Sequence, residues 1–183
     1  MKHLVLIIMQ KFITTFLVCL ILTQAIGQTQ RKVSVYLQAQ FNHTLYDITV
    51  LNNSLGFGFG LQAYLNNSSK VRPTIDFTAD VYGGDKVQRL YPDGTPIDGV
   101  EGMVNLFAGA SYHPTNRLYS SFVAGPSFII GRTLLGIKPS VGVYFSRTQR
   151  VTAKVSYINI FNRDERTKDD FGAVSFSLGV RLY

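Results

Sequence analysis

Ser111 and His113 are the side chains whose types and spacing best suit acyl-transfer chemistry, a hydroxyl nucleophile with an imidazole base two residues away. Residues two apart share one face of an extended strand, so the spacing fits the roles. An acid to orient the imidazole would have to come from elsewhere in the chain. The pair also borders Pro114-Thr115-Asn116, a tight-turn sequence in which polar residues need no catalytic explanation. Gly56-Phe-Gly-Phe-Gly60 has the look of a phosphate-binding loop, but it falls inside an alternating strand pattern and no helix follows it. His3, His43 and His113 are far apart in the sequence, and Cys19 is the only cysteine, so no metal cluster is indicated. The expectation is a protein without catalytic residues, cofactor or metal, and not an enzyme; an enzyme built on Ser111 and His113 is the alternative.

Any such residues must be positioned by a single unit, because 183 residues make one ordinary domain. Aromatics at 13% with 16 Gly and no Trp favour strands over helices. The net charge is +7 and the pI about 9.6. The 18 Lys and Arg are spread among the 11 acids rather than clustered, so no nucleic-acid partner is expected.

The first thirty residues differ from the rest. Lys2 and Lys11 flank the apolar stretches Leu4 to Met9 and Phe12 to Leu22, and Ala25-Ile26-Gly27 supplies the small residues of a cleavage site between Gly27 and Gln28. Residues 1–27 therefore read as a signal peptide, complete from either Met1 or Met9, with 28–183 as the mature domain. The other reading is a single anchoring helix from Leu4 to Leu22, which would carry Gln10 and Lys11 inside it. Cys19 leaves with the peptide.

No later stretch is apolar enough for a spanning helix, which leaves a closed barrel as the means of crossing a membrane. Period-2 alternation recurs eight times. Lys32 to Asn42 puts Val33, Val35, Leu37, Ala39 and Phe41 on one face and polar residues on the other. The same pattern spans Gly56 to Leu65, Val71 to Tyr82, Met103 to Tyr112, Leu118 to Ile130, Leu134 to Phe145, Val151 to Phe161 and Phe171 to Tyr183. Eight runs of about ten residues predict an all-β fold, an eight-stranded antiparallel up-and-down transmembrane β-barrel. With the N-terminus in the periplasm, the connections His43 to Ser54, Gly83 to Gly99, around Arg132, and Asn162 to Asp170 face outside the cell. A soluble lipocalin-like barrel is the rival, and the polar faces decide against it. They carry Gly56, Gly58, Gly60, Gly109, Gly125, Gly142 and Gly179 with Ser, Thr and Tyr, as a crowded lumen requires. The charges among them, Arg72, Asp76, Asp80, Lys138, Lys154 and Arg181, are of both signs and are expected to pair across the interior. Outward Phe41, Phe57, Phe128 and Phe161 at one end and Tyr112 and Phe145 at the other are placed as two aromatic girdles.

With these runs and the closing Phe176-Ser-Leu-Gly-Val-Arg-Leu-Tyr183, the mature chain resembles the small outer-membrane β-barrel domains, similar in architecture to OmpX and the OmpA membrane domain. The resemblance implies a place in the bacterial outer membrane, with outer-membrane lipid around it. It also implies recognition by the barrel-assembly machinery through Phe176, Leu178, Val180, Leu182 and Tyr183, although Leu182 rather than Tyr183 holds the apolar phase. Function divides between a structural or surface-binding (adhesive) barrel and a barrel that transports small solutes, and the resemblance adds a lipid A-modifying membrane enzyme built on Ser111 and His113 as a further alternative. The longest connection, where Arg89, Tyr91, Pro92, Asp93 and Gly94 surround a tight turn at the tip of a hairpin continuing strands three and four, is the candidate site for a surface protein partner, a solvated loop without a partner being the other reading. In the hairpin of strands five and six, a turn centred between Arg132 and Thr133 would set Pro126 opposite Pro139, giving a bulge or thin spot at one height.

Overall fold

The computed structural model describes residues 33–45, 55–66, 69–83, 90–95, 100–129, 131–164 and 168–183. The expected signal peptide, with its expected cleavage site at Gly27 and Gln28, lies outside the described residues, as does Arg89.

Eight strands follow in order: β1 Val33–Thr44, β2 Leu55–Leu65, β3 Val71–Tyr82, β4 Gly102–Tyr112, β5 Leu118–Ile129, β6 Arg132–Tyr144, β7 Val151–Ile160 and β8 Phe171–Arg181. Each pairs antiparallel with its neighbours, and β8 closes on β1, so the fold is an up-and-down barrel without edges. Closure is staggered. Stepping across the ladders from Val35 leads through Ala63, Ile75, Ala108, Ala124, Ile137, Asn159 and Gly172, whose carbonyl accepts from the Leu45 N–H, ten residues further along the first strand's path. A stagger of that kind tilts the strands against the barrel axis.

Alternation sorts the side chains as the sequence implies. Leu37, Phe59, Ile75, Leu106, Phe122, Val141, Val155 and Leu178 are exposed on the outer wall, while Gln38, Gly60, Asp76, Asn105, Ser121, Gly142, Ser156 and Ser177 are buried. An apolar exterior around a polar interior is the reverse of a water-soluble barrel and suits hydrocarbon on the outside. Of the girdle aromatics, Phe41, Phe57, Phe128, Tyr112 and Phe145 are exposed, with Phe41 and Phe57 packed edge to face at 5.2 Å, while Phe161 is half-buried.

The β5–β6 hairpin departs from expectation. It closes at Ile129 paired with Arg132, with Gly131 at φ 73°, so the turn is centred about two residues earlier than the sequence reading and Arg132 opens β6. A glycine that accepts positive φ makes this two-residue hairpin possible. The shift places Pro126 opposite Leu135 and Pro139 opposite Phe122, so the prolines do not face each other. The β5–β6 ladder is unbroken. Pairing lapses instead between β4 and β5 at Leu106 and Phe107, beside Pro126, and between β6 and β7 at Lys138 and Pro139. Register is the same on both sides of each lapse, so these are thin spots without bulges.

Candidate functional site

The lumen is occupied by buried side chains in three layers. We call the end where β1 begins and β8 finishes, with the three short turns, the terminal end, and the other the loop end.

At the terminal end Tyr36, Tyr64, Tyr119 and Tyr144 form a buried cluster with His113. Inward phase brings each ring from a different strand, and His113, one residue beyond β4, stacks on Tyr119 at 5.5 Å and Tyr144 at 6.1 Å with Tyr64 edge-on at 5.4 Å. Glycine on a neighbouring strand makes the room: a Cβ at Gly142 would stand 2.3 Å from Tyr119 Cζ. Burial among these rings and the charge of Arg72 pull the His113 pKa down to about 4. Ser111 Oγ bonds to Thr74 Oγ1 at 2.6 Å, and among the described residues neither ring nitrogen of His113 has a hydrogen-bond partner. The structure therefore does not join Ser111 and His113 into a nucleophile–base pair.

The middle layer is ionic. Lys138 Nζ donates to Asp76 Oδ1 at 2.8 Å and Lys154 Nζ to Asp76 Oδ2 at 2.9 Å, all three side chains being buried. Gln62 Oε1 accepts from Lys154 at 3.2 Å and from Gln38 Nε2 at 2.7 Å. Buried charges need this kind of paired and hydrogen-bonded setting. Asp80, nearer the loop end, accepts from Gln40, from Asn42 Nδ2 at 2.7 Å and from Asn105 Nδ2 at 3.4 Å. Of the six lumen charges read from the sequence, three thus form ion pairs and Asp80 is held by amides. Arg72 and Arg181 sit half-buried near strand ends, Arg72 Nη1 reaching Asn66 Oδ1 at 3.4 Å.

Toward the loop end the interior turns apolar: Tyr82, Val100, Met103, Ile129, Ile158, Ile160, Phe171 and Ala173 pack as one cluster. Above it, Tyr91 accepts at its carbonyl from Gly94 N–H at 2.9 Å, and Gly94 lies at φ 80°, which makes Tyr91-Pro92-Asp93-Gly94 the tight turn its residues imply. Asp93 Oδ1 accepts from the Thr95 N–H at 3.0 Å and its hydroxyl at 2.6 Å. Tyr91 N–H donates to Thr95 O at 2.8 Å, and the Tyr91 hydroxyl donates to Asp164 in the β7–β8 connection. Arg132 Nη1 donates to Arg163 O at 2.7 Å, and Asn162 N–H and Asn159 Nδ2 both donate to the Asp170 carboxylate. The link from Tyr91 to Asp164 joins two connections distant in sequence, and alternation gives no signal for it. The arms of the expected hairpin at 84–89 and 96–99, and Ile48, Val50 and Leu51 of the first connection, lie outside the described residues.

On β8 and just beyond it, Phe176, Leu178, Val180 and Leu182 are exposed in one phase, and Tyr183 is half-buried and out of it. Tyr183 O accepts from Val35 N–H at 3.0 Å and Val35 O accepts from Leu182 N–H at 2.8 Å, extending the seam with β1.

No family model matches the chain, and no curated protein is similar to it in sequence. Solved structures are similar in fold. A de novo designed transmembrane β-barrel aligns over 85% of this chain and 100% of its own at 10% identity, TM-score 0.52. Ail, the attachment invasion locus protein of Yersinia pestis, in complex with the heparin analogue sucrose octasulfate, aligns over 82% of this chain and 97% of its own at 11% identity, TM-score 0.54. Ail in a phospholipid bilayer nanodisc aligns over 81% and 99% at 14% identity, TM-score 0.50. With its apolar wall, closed ladder and filled lumen, this chain has the fold of the small eight-stranded outer-membrane β-barrels.

Proposed function

We propose that this is a bacterial outer-membrane protein, exported with a cleaved signal peptide, whose role is structural and surface-binding (adhesive) and is exercised by the loop end. The observation that carries this reading is the contrast between the two parts of the molecule. The lumen is filled by a tyrosine layer, an ionic layer and an apolar layer, which leaves little for a solute to pass through, while the Tyr91 turn is a shaped element fastened to Asp164. A turn held in place by the barrel's own residues offers a partner a preorganised surface. The name of Ail, an attachment protein of the same fold, supports an adhesive reading over a transport one. The exposed phase Phe176, Leu178, Val180 and Leu182 supports β8 as the strand met by the barrel-assembly machinery. The protein acts without enzymatic chemistry, cofactor or metal.

Deleting Lys86 to Asp98 tests the reading. The barrel should still fold and migrate differently on gels before and after boiling, and any adhesion the intact protein confers on cells should be lost. Adhesion that survives the deletion rejects the hairpin as the binding element. In planar bilayers the purified protein should give no stable large conductance, and reproducible nanosiemens-scale channels would move the assignment to transport.

A further inference from the structure

The acids of the chain are segregated along the barrel axis, whereas cations stand at both ends, Lys86, Arg89, Arg132, Arg163, Arg166 and Lys168 falling in sequence at the loop end among the acids. Of the 11 acids, Asp76 and Asp80 face the lumen, and every other one falls in sequence within a connection at the loop end: Asp47, then Asp85, Asp93, Asp98 and Glu101, then Asp164, Glu165, Asp169 and Asp170. The three short turns at the terminal end contain no Asp or Glu, yet they carry Lys70, Arg117, Arg147 and Arg150, all exposed. Arg72 and Arg181 add charge at the mouth, and among the described residues none of these six is in an ion pair.

Height on the barrel is a second, independent observation. Lys70 directly precedes exposed Val71, Arg117 precedes exposed Leu118, Arg150 precedes exposed Val151, and Arg147 is two residues beyond exposed Phe145. Tyr112 is exposed at the same end. Each cation therefore stands where the apolar wall stops, which in a bilayer is the level at which acyl chains give way to phosphates. Lys and Arg stems can lie along apolar surface while their heads reach that level.

We propose that this rim binds the headgroups of anionic phospholipids, with Lys70, Arg117, Arg147 and Arg150 as the phosphate contacts. The ligand class follows from the combination: guanidinium and ammonium groups select phosphate oxygens, and their position at the end of the lipid-facing wall selects a phosphate that arrives attached to acyl chains. The rim also orients the molecule, holding the terminal end in a phospholipid leaflet and leaving the acidic loop end on the opposite side.

The inference rests on the reading of the barrel as membrane-spanning, and one experiment separates the two. The purified protein is folded into phosphatidylcholine vesicles, and the motionally restricted fraction of spin-labelled phosphatidylglycerol is compared with that of spin-labelled phosphatidylcholine. Phosphatidylglycerol should be preferred by roughly fivefold at low ionic strength, with the preference falling as salt is raised. Replacing Lys70→Gln, Arg117→Gln, Arg147→Gln and Arg150→Gln together should abolish the preference. The loop-end control Lys86→Gln, Arg89→Gln and Lys168→Gln should keep it. If the fourfold variant does not fold, Arg147→Gln with Arg150→Gln alone should reduce the preference. A wild-type protein that never becomes heat-modifiable in lipid fails the membrane reading itself. A folded barrel with no preference, a preference that survives the rim substitutions, or one displaced by millimolar inorganic phosphate overturns the phospholipid assignment.

Discussion

Pro139 of β6 lies across from Phe122, four residues from the level of Pro126, and the two prolines interrupt different ladders. Neither can donate a backbone hydrogen bond, so the β5–β6 hairpin is continuous within itself and weakly joined to β4 on one side and β7 on the other. Hydrogen exchange in the folded barrel should accordingly be fastest, among wall amides, beside Leu106 and Phe107 and beside Tyr157 and Ile158. Amides shared between β5 and β6 should be slow throughout. Uniform protection around the wall would contradict the two-seam picture.

Asp76 is the counter-charge for two buried lysines. Asp76→Ala leaves both without one and should cost about 3–5 kcal/mol in equilibrium unfolding from lipid vesicles. Replacing Asp76, Lys138 and Lys154 together with apolar residues of similar volume should cost much less. Equal losses in the two variants would mean that the middle layer acts by packing and not by charge.

Gly142→Ala places a methyl group into the ring of Tyr119, which is hemmed in by Tyr64, Tyr144 and His113 and has nowhere to move. A loss of about 1–3 kcal/mol is expected. Adding Tyr119→Leu should recover part of it, because the smaller side chain vacates the contact. Denaturant titration of the two variants decides the matter.

The depressed pKa of His113 makes stability depend on pH in a definite direction. In the unfolded chain the imidazole takes up its proton near 6.5, while in the folded protein it does so only near 4. The unfolded state therefore binds more protons in that window, and the contribution of His113 is complete above about 6.5 and lost as pH falls toward 4. His113→Phe, which keeps a ring against Tyr119 and Tyr144, should flatten the pH dependence of unfolding between these values. A wild-type slope unchanged by the substitution would place its origin elsewhere.

The sequence made the wall legible because alternation reports which face a residue takes, and in a barrel each face has one solvent. Val33 to Phe41 and Val174 to Leu182 could hardly be sorted otherwise. Register is a different kind of information. It is set by turn geometry, and at Gly131 a single glycine moved the β5–β6 turn by about two residues and separated the prolines. Partner choice inside the lumen was also hidden, since Arg72, Lys138, Lys154 and Arg181 share a phase and only their heights around a tilted barrel decide which of them meets Asp76. At the loop end, the Tyr91 turn was readable from Pro92 and Gly94, but its tether to Asp164 joins residues 73 positions apart and left no local trace.

The seam between β1 and β8 joins Val35 to Tyr183, close to the two extremes of the described residues. Every other ladder links consecutive strands and can form as a local hairpin, whereas this one closes a loop of nearly the whole polypeptide. Until the final strand is in place, the growing sheet has two raw margins that can pair with any extended chain nearby. Folding of this barrel is thus gated by β8, and its most vulnerable intermediate is an almost complete sheet that has not yet met itself.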